Sequence, residues 1–448
     1  MTDDQTLESL RVMNTVKSEL VDQGTSFSRY YVSFPNCCPS RASYLTGQYS
    51  HNNGVEDNVA PLGGAAKLRA DETLPVWLQR AGYTTAHVGK YLNTWGEDGN
   101  ISPPPGWSTW YGLIDPSTYS YYRYSVSDNG QRKDFGDAET DYQTDVLGQR
   151  VVDFVRNQPT GGKPWFLSFT PLAPHAEAPE TGGQGPQEGS GTEFKWAFPK
   201  PAPRHERSLV AKAPRGPAFN PDDVSGLPEE LRNQPKLSDG LEKLIDQGYQ
   251  LELEALQAVD DWVGTIITTL KDTKQLDNTV ILFTSDNGFF HGEHRLAFKK
   301  YYLYEPAVHV PLIIRGGPFG KKKQATQVVG NVDLAPTILA LAGAAPAANW
   351  NFDGIDIAPL AKDPKAGTDR GYLVENRSGR GSTKGVVTER YKLLVHHTGE
   401  EEMYDLDKDP DELQNIAADA GAASLKKELR RRLDVLKGCK GAPCLGRK

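Results

Sequence analysis

The sequence predicts an α/β fold, a wound mixed sheet flanked by helices, followed by a smaller C-terminal α+β unit of antiparallel strands and one helix. Three observations carry this. Between residues 74 and 342, apolar strand-like runs alternate with amphipathic helix-like runs, the order a wound sheet requires. Three of the strand-like runs end abruptly in polar groups: Gly89-Lys90, Pro174-His175 and Ser285-Asp286-Asn287. Wound sheets gather their chemistry at such carboxyl ends. Beyond a linker-like stretch at 361–368 the order changes to several strands and a final helix. The expected division is an α/β unit over residues 1–365 and an α+β unit over 366–448.

Element by element, an apolar 3.6-residue period predicts a helix over 7–20, and a β-rich segment over 27–34 delivers Cys37 and Cys38. A helix over 74–81 and a strand over 84–88 follow, then a helix over 142–155 and a strand over 165–172. Gly, Pro and charged residues dominate the next stretch with little periodicity, which predicts an irregular insertion over 176–238. A long amphipathic helix over 241–270 leads to an apolar strand over 279–283, a strand over 308–314 and a helix over 332–342. In the second unit, strands over 372–375, 386–395 and 403–406 precede a basic amphipathic helix over 424–436. The aromatic stretch 107–124 can stack on sugar faces, although such residues more often fill a core.

A formal net charge of -8 and only a short basic run, Lys321 to Lys323, argue against a nucleic-acid partner. The longest apolar stretch, 335–348, is too short and too interrupted by proline to span a membrane. Of the four cysteines, Cys439 and Cys444 bracket Lys-Gly-Ala-Pro, a spacing that suits either a small disulfide loop or two free thiols. The chain opens Met-Thr-Asp-Asp-Gln, without a signal-peptide pattern or an apolar strand before the acidic pair.

Asp3 and Asp4 near one end and Asp286 and Asn287 after an apolar strand offer four oxygen ligands. That set suits a hard divalent cation such as calcium or magnesium rather than zinc. Each pair alone would read as a turn or a helix cap. Residues 37–47, Cys-Cys-Pro-Ser-Arg-Ala-Ser-Tyr-Leu-Thr-Gly, change that weighting: with Cys37, Pro39, Ser40 and Arg41 as CxPSR and a closing Leu-Thr-Gly, they resemble the signature of type I sulfatases. The run from Ser285 to Glu305, with its Gly-Glu-His-Arg-Leu, resembles the second signature, and Gly89-Lys90-Tyr91 a third element. Gly-Lys-Tyr-Leu-Asn, the doubled cysteine, Ala213-Pro214-Arg215 and the paired tail cysteines are similar to the N-acetylglucosamine-6-sulfatase branch, including extracellular glucosamine-6-sulfatases.

The resemblance implies an alkaline-phosphatase-like fold and oxidation of Cys37 to formylglycine by a formylglycine-generating enzyme. It also implies a cation, Ca2+, at Asp3, Asp4, Cys37, Asp286 and Asn287, and catalytic roles for Cys37, Arg41, Lys90, His175 and Lys300. Lys299 is the alternative to Lys300, and His291 and His294 receive no role. Because sulfatases place their acidic pair after a first core strand, an upstream strand and an export signal are expected in a full-length, secreted or otherwise extracytoplasmic form. The implied reaction is hydrolysis of a sulfate ester on a carbohydrate, such as 6-O-sulfated N-acetylglucosamine, or on an aryl alcohol. Two alternatives stand beside it: a phosphodiester or phosphonate monoester hydrolase on the same scaffold, and a catalytically silent sulfated-glycan-binding protein. The second draws on Leu92, which occupies the position where many sulfatases carry histidine.

Overall fold

The β-branched Thr84, Thr85 and Val88 favour extended backbone, and the strand they form, Thr84–Gly89, lies inside a five-stranded sheet. It pairs in parallel with Trp165–Thr170 on one side and Thr109–Leu113 on the other. A hairpin, Ser125–Asp128 and Gln131–Asp134, continues the sheet in antiparallel sense. Gly89 ends the central strand at φ +119°, where an added Cβ would stand 2.1 Å from Thr170 O. Only glycine fits there, and the close approach lets Lys90 N donate to Thr170 O at 2.8 Å. The structure, a computed structural model, describes residues 1–159, 161–177, 198–363, 368–378 and 381–446. Residues 178–197 of the expected insertion and 364–367 of the expected linker lie outside the described residues.

A second sheet runs in the order Lys323–Ala325, Gly24–Phe27, Leu312–Arg315 and Ile281–Thr284. The carboxyl ends of the two sheets are joined by the first residues of the chain. Met1 N donates to Phe169 O at 2.9 Å, Thr2 N to Thr284 O at 2.9 Å and Asp286 N to Thr2 O at 3.2 Å. Parallel bridges link Thr2 to Ser285 and Asp3 to Pro174. Asp3 and Asp4 are thereby fixed between the ends of strands far away in sequence.

The helix Cys37–Thr46 starts where Asn36 Oδ1 accepts from Cys37 N and stops at Gly47, φ +67°, whose missing side chain leaves room for the Phe352 ring. The 34-residue helix Asp239–Asp272, capped by Ser238, packs against Gln143–Arg156 and buries Leu253, Leu256, Val259 and Ile267. In the C-terminal part, Tyr372–Ser378, Gly381–Val387, Tyr391–His396 and Glu401–Asp405 form an antiparallel sheet, with the helix Ala423–Leu436 packed on it. One apolar cluster runs through both parts, from Tyr30, Val308 and Val332 to Leu373, Leu393 and Leu433. Cys439 and Cys444 form a disulfide, while Cys37 and Cys38 are free and buried.

Several local expectations are corrected. Residues 7–20 are not one α-helix but a 3-10 turn, Glu8–Val12, followed by a π-helical turn, Val16–Val21. Asp260 accepts from Thr15 N and Val16 N at 2.8 Å each, so a tertiary carboxylate restarts the backbone there. The expected strand over 386–395 is a hairpin, because Thr388 and Tyr391 bond each other across a tight turn. Within 107–124, Trp107 and Trp110 are buried with His87 and Tyr91, which makes them core residues rather than a sugar platform.

Candidate active site

Cys37 occupies the first turn of its helix with Sγ directed at a cluster of charge. Lys300 Nζ lies 3.0 Å from that sulfur and donates to Asp4 Oδ1 at 2.7 Å; Asp3 Oδ1 lies 3.6 Å from the sulfur on another side. Lys90 Nζ donates to Asp3 Oδ2 at 2.5 Å. Arg41, one helical turn beyond Cys37, spends its guanidinium on Asp286 Oδ2 at 2.8 Å, Asp3 Oδ2 at 3.2 Å and Lys90 O at 2.7 Å. These charge-assisted bonds tie the Asp3 and Asp286 carboxylates together.

Asp4, at φ +64°, folds back so that its backbone N donates to Asp286 Oδ1 at 3.2 Å, and Asn287 Nδ2 donates to Asp4 Oδ1 at 2.5 Å. Asp3, Asp286 and Asn287 are fully buried. Among the described residues, Asn287 Oδ1 has no hydrogen-bond partner, which is costly for a buried acceptor. Three neighbouring buried carboxylates with an asparagine amide beside them are the donor types that a hard, oxygen-preferring cation takes. Atoms of Asp3, Asp4, Cys37 and His175 also converge within 4.8 Å of one another. The residues present fit a divalent cation.

His175 follows the strand Trp165–Thr170, its Nε2 3.6 Å from Asp4 Oδ2. Its Nδ1 faces Ala176 O at 2.6 Å. A carbonyl only accepts, so Nδ1 carries a proton and the Nε2 edge is the one that exchanges protons with the pocket. Burial holds this imidazole below the usual histidine range, against the pull of Asp4 and Asp3.

The remaining charges reinforce one another. Burial disfavours a charged Asp3, but Lys90, His175 and Arg41 outweigh it and hold the carboxyl below the ordinary range. Lys300 and His175 do the same for Asp4. Burial is likewise outweighed at Lys300 by Asp4, Cys37 and Asp3, and at Lys90 by Asp3 and Cys37, so both ammonium groups stay charged. For Cys37, burial dominates and pushes the thiol up to about 12, with Asp3 and Asp286 adding to it.

All nine residues singled out from the sequence, Asp3, Asp4, Cys37, Arg41, Lys90, His175, Asp286, Asn287 and Lys300, stand in this one cluster. Lys300, rather than Lys299, contacts Cys37. His291 pairs with Glu252 at 2.7 Å, and His294 stacks on Tyr304 away from the sulfur. Sequence reasoning missed Asn58, which accepts from Cys38 N at 3.0 Å and donates to Asn36 Oδ1 at 2.8 Å. It also missed Tyr119, whose ring faces Lys90 and His175. No local pattern marks either contact.

Comparison with known proteins identifies the family. The family model for Sulfatase matches residues 5–344, and that for the N-sulphoglucosamine sulphohydrolase C-terminal region matches 292–438. The chain is 32% identical to an arylsulfatase of Volvox carteri over 462 residues, covering 94% of this chain and 70% of that one. It is 30% identical to the N-acetylglucosamine-6-sulfatase of Homo sapiens, covering 99% of this chain and 84% of the human protein. A solved structure of BT4656 in complex with its substrate D-glucosamine-2-N,6-O-disulfate superimposes with a TM-score of 0.77 at 25% identity, over 97% of this chain and 95% of that one. The phosphonate monoester hydrolase of Agrobacterium radiobacter shares the fold, with a TM-score of 0.68 at 20% identity over 97% of this chain and 94% of that one. With an alkaline-phosphatase-like fold and matches to named sulfatases over nearly its whole length, the chain belongs to the sulfatase family, enzymes that hydrolyse sulfate esters.

Proposed function

We propose that this sulfatase removes sulfate from a carbohydrate, a 6-O-sulfated glucosamine residue of a glycosaminoglycan-type chain above all, and that it also accepts aryl sulfates. The observation that carries the proposal is the contact of Lys300 Nζ with Cys37 Sγ beside the Asp3, Asp4 and Asp286 carboxylates. A nucleophile position flanked by lysines on one side and a carboxylate cage on the other suits a tetrahedral anion. The substrate class draws support from the 30% identity to the human N-acetylglucosamine-6-sulfatase and from the sulfated glucosamine bound by BT4656.

With its thiol pushed up to about 12, Cys37 carries little thiolate at neutral pH and is a poor nucleophile as it stands. Conversion to formylglycine, by a maturation enzyme of the host, supplies a hydrated aldehyde with one hydroxyl to attack sulfur and a second whose deprotonation expels sulfate. A divalent cation, Ca2+ as the family resemblance implies, would be held by Asp3, Asp4, Asp286, Asn287 and the converted residue 37, and would supply positive charge to the sulfuryl oxygens.

This chain's own side chains do the rest. Lys90 and Lys300 neutralise charge on the sulfuryl oxygens while Arg41 keeps Asp3 and Asp286 in register. His175 donates a proton from Nε2 to the departing alkoxide; burial makes that proton easy to release, and Asp4 and Asp3 offset part of the burial. The N-terminus of helix Cys37–Thr46 adds partial positive charge. An extracytoplasmic location is proposed by analogy with relatives named extracellular sulfatases, to one of which, from Drosophila melanogaster, the chain is 33% identical over 88% of its length and 34% of that protein's. No described helix is long and apolar enough to cross a membrane.

Turnover on 6-O-sulfated glucosamine and galactose, on aryl sulfates and on matched phosphate and phosphonate esters tests the proposal. Sulfate esters hydrolysed fastest, with glucosamine preferred, is the expected result. Faster turnover of the phosphorus esters would move the assignment to the phosphonate monoester hydrolase reading, and sulfated-sugar binding without turnover by fully converted protein would leave a silent binder.

A further inference from the structure

Building on that reading, we infer that Tyr119 is a positioning residue that sets Lys90 and His175 relative to each other, and that Asn93 and Gln143 fix Tyr119 for this purpose. The Tyr119 ring centroid lies 4.7 Å from Lys90 Nζ and 5.3 Å from the His175 ring, with the two rings tilted by 49°. The aromatic face attracts the ammonium and fixes the direction from which it can reach both Asp3 and a sulfuryl oxygen. His175 is held at Nδ1 by Ala176 O and faces Asp4 Oδ2 with Nε2 at 3.6 Å, and the neighbouring ring limits the swing of that Nε2 edge.

Tyr119 itself is held at both ends. Its hydroxyl accepts from Asn93 Nδ2 at 2.6 Å. Asn93 is itself buried, 3% exposed. The backbone on either side of the ring is pinned by Gln143, whose Nε2 donates to Thr118 O at 3.0 Å and to Ser120 O at 2.7 Å. A ring clamped through hydroxyl and backbone, and touching two working groups, acts as a wedge between the charge that stabilises sulfate and the proton that leaves with the alcohol.

The test compares phenyl sulfate, a poor leaving group, with 4-nitrophenyl sulfate, a good one, using matured enzyme. In Y119L and Y119M, kcat on phenyl sulfate should fall on the order of 10²-fold, as misplacement of a working group does. On 4-nitrophenyl sulfate, which needs less proton assistance, only the share carried through Lys90 remains, so the loss should be smaller, with KM little changed on both. Y119F keeps the ring and loses the anchor to Asn93, so kcat should fall roughly five-fold, the worth of one hydrogen bond. Equal losses on both substrates, a Y119F loss as large as that of the ringless variants, or failure of both ringless variants to fold would each overturn the inference in favour of plain structural packing. Wild-type enzyme inactive on both substrates would overturn the hydrolase reading, and this inference with it.

Discussion

Lys300 and Cys37 are 263 residues apart, yet Lys300 Nζ sits 3.0 Å from Cys37 Sγ and holds Asp4 at the same time. Their contact depends on Tyr301 N donating to Pro35 O at 3.2 Å, which docks the lysine loop against the approach to the helix Cys37–Thr46. Asn376 Nδ2 donates to Tyr301 O, so the C-terminal sheet braces the same loop. K300A should therefore lower kcat by about 10²- to 10³-fold, the scale of removing one group aimed at developing charge. K299A should cost far less. Steady-state kinetics on an aryl sulfate decide it, and a larger loss in K299A than in K300A would return the assignment to Lys299.

The proposed cation would sit among Asp3, Asp4 and Asp286, whose carboxylates Arg41, Lys90 and Lys300 neutralise from the other sides. Dialysis against a chelator should abolish turnover and lower the melting temperature, and added Ca2+ should restore both. A site filled to 100 times its dissociation constant contributes about 2.7 kcal/mol to stability. D286N should weaken the response to Ca2+, read as a shift in the concentration that restores the melting temperature. Chelated protein with unchanged activity would contradict the cage assignment.

The pH dependence of stability follows from Asp3 and Asp4, whose folded carboxyl groups are held below the unfolded value of about 3.9. A depressed carboxyl contributes stability that is fully present above the unfolded value and is lost as pH falls through the folded one. Cation-free protein should thus lose stability progressively as pH drops below about 4, by thermal melts across an acid series. D3N should flatten that loss. A melting temperature that rises on acidification would contradict the assignment.

Arg370 and Asp333 form a fully buried bidentate pair at 2.7 and 2.9 Å. Asp333 accepts from Gly330 N, while the neighbouring Asn331 donates to Ser40 O and Oγ on the cysteine helix. R370A leaves an unpaired buried carboxylate and should cost about 3 to 5 kcal/mol by denaturant unfolding. Losses below about 1 kcal/mol, the range of an exposed pair, would show that the pair does not tie the C-terminal part to that helix.

How much of this was legible in the sequence depends on whether a residue announces itself locally. The strand ends at Gly89-Lys90 and Ser285-Asp286-Asn287 are visible because apolar, β-branched runs stop at polar groups, and Cys37 to Gly47 is a contiguous pattern. The start of the chain is harder: Leu7, Leu10, Val16 and Leu20 carry a helical period, but Asp260, on a helix more than 200 residues away, captures the amides of Thr15 and Val16 and breaks it. Tyr119 was one aromatic among many, and nothing in its neighbourhood separates it from the buried Trp110. Its meaning comes from Lys90 and His175, which only the fold brings to it.

The most direct measurement is turnover of an aryl sulfate by wild-type and C37A protein, each expressed with a formylglycine-generating enzyme and checked by mass spectrometry of the residue 37 peptide. The account predicts aldehyde mass and activity in the wild type, and a folded C37A protein with no turnover above background. Substantial sulfate release by C37A would contradict the assignment of residue 37 as the nucleophile.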